Sequence, residues 1–398
     1  MNAIPPRNRP VYLDNQATTP CDPRVVTAML PWFTEKFGNP HSAEHRMGTE
    51  AEAAVEEARA AIAALIGAEA REIVLTSGAT ESNNIAIKGA ARFAAAHDNP
   101  RRRIVTVATE HKCVLESVAD LAAEGFAPVV LPVNRDGLLD LAALEAAVDD
   151  TTLLVSVMAV NNEIGVIQDL AAIGGIARAA GALFHTDAAQ AAGKIPLDVN
   201  AAGIDLMSIS GHKLYGPKGV GALYVRRRPR ARLSPLFSGG GQERGLRSGT
   251  LATPLIVGLG EACRIAAAEM AEEAARLTLL RARLIEGLGR AIPGLAANGS
   301  DGARIPGNLN LTFPGATADA LMRALPDLCV STGSACSSAA VEPSYVLTAL
   351  GLTPEEASRT LRLGLGRFTS EADVDYAVAA LSAAHGSIAH PGTATTAR

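Results

Sequence analysis

The sequence predicts an α/β protein: a mostly parallel sheet with helices on both faces, joined to a smaller α+β domain. Three observations carry that reading. Between residue 50 and about residue 230, short continuous apolar runs alternate with amphipathic helical stretches, the pattern of buried parallel strands and their crossover helices. After the glycine-rich Ser238–Gly241 stretch the pattern changes to one long helical period followed by shorter mixed elements. The chain has 398 residues, 48% of them hydrophobic, which is more than one hydrophobic core usually organises.

Taken in order, a helix runs through EAEAAVEEARAAIAALIGA and is followed by the apolar run Ile73–Thr76. A Gly-Ala-Thr turn opens a second helix that ends before Pro100. Ile104–Ala108 reads as a strand, His111–Glu124 as a helix, Val129–Val133 as a strand and Leu153–Val160 as a continuous apolar strand. A helix over Ala171–Ala180 precedes strands at Ala182–Thr186, Asp205–Ser210 and Val220–Val225. A long helix, Pro254–Ala291, then connects to strands near Leu309–Phe313 and Thr360–Leu365, with helices at Ala316–Leu325 and Glu371–His385. The expected division is a large domain over 15–258 and a small one built from 1–14 and 259–398. In such folds ligands sit beyond the carboxyl ends of the strands.

The composition excludes several functions. A formal net charge of −5 argues against a general nucleic-acid binder, which needs a basic face. No window approaches the ~20 uninterrupted apolar residues of a membrane helix. The opening MNAIPPRNRP lacks the apolar core of a secretory signal, so a cytoplasmic location is expected. The five cysteines, Cys21, Cys113, Cys263, Cys329 and Cys336, show neither CxxC nor metal-ligand spacing. No disulfide framework and no resident metal are expected. Only six of the 36 basic residues are lysine, so few amines are available for chemistry.

Four polar segments follow expected strand ends. In Thr76-Ser77-Gly78-Ala79-Thr80-Glu81-Ser82 a tight turn enters a helix, which makes either an anion site or an ordinary cap. In His185-Thr186-Asp187-Ala188-Ala189-Gln190 the carboxylate of Asp187 suits either a cationic ring nitrogen or the cap of the next helix. Lys213, within Ser210-Gly211-His212-Lys213-Leu214-Tyr215-Gly216-Pro217, is either a Schiff-base nucleophile lowered by a cleft or a solvent-facing loop lysine. Asn161-Asn162 forms a turn or orients a polar ligand. Together with His111 as a stacking ring, these groups match what pyridoxal phosphate needs: an anion-binding helix start, a carboxylate and a lysine.

With these residues in view, the chain resembles the group I cysteine desulfurases of the NifS/IscS type, in the class V aminotransferase family. The stretches YLDNQATTP, FGNPHS, TSGATESNN, TEHK, VNNEIGVIQD, HTDAAQ, SGHKLYGPKG, GGGQERGLRSGT, STGSACSSA, EPSYVL and LRLGLGRFT run in family order over about residues 11 to 385. Asn15-Gln16 and His185-Thr186-Asp187 look closer to the nitrogen-fixation type. The resemblance implies a fold-type I pyridoxal-phosphate-dependent transferase, acting as a homodimer on L-cysteine. It would release L-alanine and leave a persulfide on Cys336 for an iron–sulfur scaffold, tRNA thiolation or another acceptor. By the same resemblance Lys213 attaches the cofactor and moves protons, Asp187 holds the pyridinium, and His111 stacks on the ring. Gln190 and Asn162 contact the ring-oxygen side. Ala79 contacts the cofactor, and Thr80, Ser210 and His212 hold its phosphate, with Thr250 reaching in from a second subunit. Arg362 and Asn162 bind substrate. Cys336 takes the sulfur and is the contact for any transferred iron–sulfur cluster. The basic run Arg226–Arg232 is expected either to be an ordinary solvated loop or to receive an acidic regulator or acceptor protein. Selenocysteine lyase or another class V reaction is one rival reading; a non-catalytic docking platform for sulfur transfer is another.

Overall fold

The computed structural model describes residues 9–333 and 343–389. A short strand β1 (Val11–Tyr12) leads to helices α1 (Pro23–Met29), α2 (Pro31–Thr34) and α3 (Arg46–Leu65). Alternating elements follow: β2 (Ile73–Thr76), α4 (Ala79–Ala96), β3 (Arg103–Val107), α5 (Lys112–Asp120), β4 (Ala127–Leu131), α6 (Leu141–Ala147) and β5 (Thr152–Ser156). The series closes with α7 (Leu170–Ala179), β6 (Leu183–Asp187), β7 (Leu206–Ser210) and β8 (Gly221–Val225). Among the described residues β2 to β8 form one sheet in the order β2-β8-β7-β6-β5-β3-β4. Strand β8 runs antiparallel to both its neighbours and the other pairs are parallel. The carboxyl ends of β2, β3, β5, β6 and β7 therefore open on one edge.

Burial explains why these runs are strands. All residues of β2, β5 and β7 are buried, so no alternating polar face is needed. One apolar cluster packs Ile73, Val105, Val155, Phe184 and Met207 against α3 and α7; another packs Val74, Ile104 and Leu154 against α4 and α5. The two clusters lie on opposite faces of the sheet, because neighbouring strand residues point to opposite sides.

The long helix α8 (Thr253–Ala291) has two partners. Its first half buries Leu259, Cys263 and Ala266 in the core of the large sheet. Its second half buries Leu277, Leu280, Leu284 and Leu288 in a separate core. That second core also takes Val11 and Leu13 and the strands β10 (Asn308–Thr312) and β12 (Thr360–Gly364). The small sheet has the order β12-β10-β9, where β9 is Ala296–Ala297. Helices α9 (Ala318–Ala324) and α12 (Glu371–Ala389) cover it, and β11 (Leu328–Cys329) pairs in parallel with β1. Helices α10 (Tyr345–Ala349) and α11 (Pro354–Ser358) complete the chain.

Differences from the sequence reading are local. The apolar stretch Leu153–Val160 leaves the ladder after Ser156, because Val157 and Ala159 donate instead to the carbonyls of His185 and Asp187. The helix expected to reach Glu124 stops at Asp120 and continues as a 3₁₀ turn, Leu121–Glu124, closed by Gly125 at φ +84°. The basic run Arg226–Arg232 is not uniformly exposed. Arg226 is buried, donates to the carbonyls of Val199 and Ile204 and pairs with Asp205, so it is unavailable to a partner. A strand-end arginine can reach back over its own sheet, and the sequence does not show which member does so. Arg227, Arg228, Arg230 and Arg232 remain exposed.

Candidate active site

A cavity of about 680 Å³ lies at the common carboxyl edge of the strands, lined by residues of both apolar units. It gathers Ala79, Thr80, His111, Asn162, Asp187, Gln190, Ser210, His212, Lys213 and Arg362. These residues lie up to 283 positions apart in sequence, from Ala79 to Arg362, and only the sheet topology brings them together. Thr250 does not line this cavity. It is exposed and borders a separate surface hollow with Trp32, Phe37 and Pro254. Cys336 lies outside the described residues, but Gly333, three positions before it, lines the cavity.

Lys213 leaves β7 on a 3₁₀ turn, Gly211–Lys213, that cannot extend because Tyr215 holds φ at +63°. Its Nζ donates to the carbonyls of Gln16 and Ala17, both at 2.6 Å. Asp187 closes β6. Its Oδ1 accepts from the amide of Ala189 at 2.9 Å, and its Oδ2 accepts from Asn83 Nδ2 at 2.6 Å. Among the described residues no helix directly follows Asp187 for it to cap; the carboxylate closes a local turn and also lines the cavity. His111 caps α5, with Nδ1 accepting from the amide of Cys113 and lying 3.0 Å from its sulfur. Gln190 is pinned at both ends: Nε2 donates to the Gln16 carbonyl, and Oε1 accepts from Lys194 Nζ, both at 2.8 Å.

Helix α4 starts at Gly78 (φ +150°), and no side chain caps it among the described residues. A Cβ built on Gly78 would meet only Ser210 Oγ, at 3.8 Å, so it would protrude into the space between the helix start and Ser210. That cradle, with uncapped amides at a helix N-terminus, suits a phosphate. His212 lies beside it, 3.0 Å from Thr18 Oγ1 through Nδ1. Burial and the nearby Lys213 and Lys218 push its pKa down to about 4. It is therefore neutral near pH 7.

On the substrate side, Arg362 of β12 donates through Nη1 to the Asn162 carbonyl at 3.0 Å and through Nη2 to Asp14 Oδ1 at 2.8 Å. Its Nε and the Oδ1 of Asn162 are buried without a partner among the described residues. A buried polar atom left unpaired is costly, and both residues line the cavity, which suits a polar ligand there. The donor set and the orphaned atoms fit a phosphorylated aromatic cofactor with an amino-acid substrate.

Several residues of the site carried no assignment from sequence. The Gln16 and Ala17 carbonyls, Asp14, Asn83 and Lys194 hydrogen-bond to its residues, and Glu110 feels the charge of Asp187. A signal existed for two of them: Asn83 lies one helical turn past Ala79, and Lys194 one turn past Gln190. Glu110 is fully buried with its carboxyl raised well above the usual range, by burial first and then by Asp187. Cys113 packs in the core beneath α5 and also lines the cavity. Burial pushes its thiol up to about 12.

Comparison with known proteins places this arrangement. The sequence pattern of the family described as aminotransferase class-V matches residues 11–377. The chain belongs to the class-V aminotransferase family. Within the family it is 56% identical over 369 residues to a cysteine desulfurase IscS of Rickettsia rickettsii (strain Iowa), covering 93% of this chain and 89% of the relative. A solved NifS-like protein superposes with a TM-score of 0.87 at 38% identity, over 94% of this chain and 98% of the other. A structure described as SspA in complex with cysteine gives 0.80 at 38% identity, over 90% and 99%. The fold-type I architecture and the membership among NifS/IscS-type desulfurases expected from the motifs are both borne out.

Proposed function

We propose that this family member is a cysteine desulfurase that takes sulfur from L-cysteine, releases L-alanine and carries the sulfur as a persulfide on Cys336. The observation that carries the reading is the single cavity lined by Lys213, Asp187, His111 and Arg362, with Gly333 at its wall just before Cys336. Pyridoxal 5′-phosphate is the cofactor these residues suit; when bound it supplies the electron sink that makes bonds at the substrate's Cα and Cβ labile. Lys213 would attach it and move the proton at the substrate Cα. Asp187 would hold the ring nitrogen protonated, His111 would cover the ring face, and Gln190 and Asn162 would lie on its oxygen side. Ala79, Thr80, Ser210 and His212 would hold the phosphate. Arg362 would grip the substrate carboxylate with Nε and the second hydrogens of its Nη atoms, since a guanidinium has five donors.

The sulfur step balances without an outside oxidant. The Cys336 thiolate attacks the substrate sulfur, the S–S bond forms as the Cβ–S bond breaks, and the electron pair left on the substrate is protonated to give alanine. The other four cysteines are poor candidates for this role. Burial raises the pKa of Cys21 and Cys329, and pushes Cys113 and Cys263 to about 12, so each is held as a thiol.

The dimer and the acceptor belong to the same proposal. Thr250 lies off its own cavity, beside the exposed Phe37, while Leu30 and Phe33 are 58% and 54% exposed. A second copy covering that apolar ridge would bring Thr250 to the partner's phosphate. The exposed Arg227, Arg228, Arg230 and Arg232 suit an acidic sulfur acceptor. No helix of the described residues is long and apolar enough to cross a membrane. The test is to supply L-cysteine and a reducing thiol to the cofactor-loaded protein and measure alanine and sulfide. Equimolar release supports the reading, and faster turnover of selenocysteine would shift it to a selenocysteine lyase. Release of neither product would leave a docking platform.

A further inference from the structure

We infer that Glu163 is a positioning residue for sulfur transfer, holding in place both stems of the segment that carries Cys336. The inference rests on the desulfurase reading. Gly333 and Ser344 flank that segment, and both meet one carboxylate oxygen. Ser344 Oγ donates to Glu163 Oε2 at 2.6 Å. A Cβ built on Gly333, where φ is +88°, would lie 2.8 Å from the same Oε2 and 3.0 Å from Cδ. The glycine is thus required both by its backbone conformation and by the flat contact with the carboxylate.

Glu163 is itself immobilised. Its side chain is buried, its amide donates to Asn161 Oδ1 at 2.8 Å, and its carbonyl accepts from Asn308 Nδ2 at 3.2 Å and Asn310 Nδ2 at 3.4 Å. The stems are tied into the same framework on either side. Ser331 pairs with Arg362 through both backbone groups and donates from Oγ to Asp14 Oδ1 at 3.0 Å. Tyr345 donates to the Glu110 carbonyl, next to His111, at 2.7 Å. The anchor of the cysteine-bearing segment is therefore the sequence neighbour of Asn162, whose carbonyl orients Arg362.

This arrangement has a chemical use. Transfer needs the thiolate within about 3–3.5 Å of the substrate sulfur, and holding the ends of a connecting segment reduces the conformations it must search. A carboxylate buried only to complete a core would bond to the sheet around it. The side chain of Glu163 instead contacts the two stems, with the Arg362 charge nearby. Its removal should slow sulfur transfer more than it weakens substrate binding.

The experiment uses the cofactor-loaded enzyme in single turnovers with L-cysteine, following persulfide on Cys336 by mass spectrometry and substrate binding by the change in cofactor absorbance. Glu163→Met and Ser344→Ala should each slow persulfide formation about tenfold, with half-saturation by L-cysteine within about twofold of the parent. Glu163→Gln and Ser344→Thr, which keep an acceptor and a hydroxyl, should restore most of the rate. Parent-like persulfide rates in Glu163→Met and Ser344→Ala would overturn the inference, as would losses that track weaker L-cysteine binding. If Glu163→Met does not fold, the Ser344→Ala and Ser344→Thr pair decides it on the same criteria. A parent enzyme that releases alanine yet never places persulfide on Cys336 would instead overturn the Cys336 step of the proposed function, leaving the desulfurase activity standing.

Discussion

At the scale of single residues, the site is a set of hydrogen-bonded groups whose charge states follow from burial. Lys213 lines the cavity and Lys194 lies near it, and burial with the Lys213 charge pushes Lys194 down to about 7. Only Lys213 rides a strand-end turn and lines the cavity with Asp187, while Lys194 is bonded to Gln190. Reduction of the cofactor-loaded protein with borohydride should therefore label Lys213 and leave Lys194 unmodified. Lys213→Ala should lose the cofactor's visible absorbance and reduce turnover by about 10²–10⁴-fold or more; label on Lys194 would contradict this. His185 gives a stability prediction. It is fully buried between Ser156 Oγ (2.8 Å) and Ser208 Oγ (3.2 Å), and burial pushes it down to about 3. The unfolded chain then takes a proton that the folded one refuses. The contribution is present above about pH 6.5, lost as pH falls toward the folded value, and worth about 2 kcal/mol by pH 5. His185→Gln should flatten the loss of denaturant midpoint between about pH 6.5 and 5; an unchanged slope would refute it.

At the scale of elements, α8 decides how the two apolar units meet, and its approach to α3 depends on one missing side chain. A Cβ on Gly260 would lie 2.6 Å from both Cα and Cβ of Ala58. Gly260→Ala should push the helices apart and cost about 1–3 kcal/mol by chemical denaturation. Gly289, on the same helix with nothing within 4 Å of its Cβ position, gives the control. Gly289→Ala should stabilise by up to about 1 kcal/mol through helix propensity alone. Equal effects at the two positions would mean that the close approach is not what matters. The strand-end loops were legible at this scale: Ser77–Thr80, Asn161–Asn162, Asp187–Gln190 and His212–Lys213 all lie where apolar runs end, and the parallel sheet aligns those ends.

At the scale of the whole molecule, the surface carries two features that one chain does not use. The first is the apolar ridge of Leu30, Phe33 and Phe37 beside Thr250. Sedimentation should show a dimer, and Thr250→Ala should weaken cofactor binding; a stable, fully active monomer would contradict both. The second is the run Arg227, Arg228, Arg230 and Arg232 on a chain of net charge −5. Changing Arg227, Arg228 and Arg230 to Ser should leave alanine formation with a small thiol acceptor unchanged. Delivery to an acidic protein acceptor should slow about tenfold at low salt, and less when the screening length falls to about 8 Å at physiological ionic strength. Equal delivery at every salt concentration would make the run an ordinary solvated loop.

By itself the sequence determined the alternation of buried strands and crossover helices, the polar residues at the strand ends and the family. Apolar periodicity and local turn chemistry are written into neighbouring residues, so they can be read without coordinates. Only the tertiary structure decided which of two local readings each polar group follows. Asp187 is both a turn former and a cavity carboxylate because Asn83, 104 positions away, supplies its second hydrogen bond. The amine of Lys213 is held by the carbonyls of Gln16 and Ala17, nearly 200 positions earlier. Arg226 is withdrawn from the basic run by the carbonyls of Val199 and Ile204. Glu163 reads in sequence as part of a turn, and its grip on Gly333 and Ser344 exists only once the small sheet docks on the large one. Hydrogen bonds between distant segments depend on where the chain returns in space, and that is set by packing of the two cores, which no local pattern encodes.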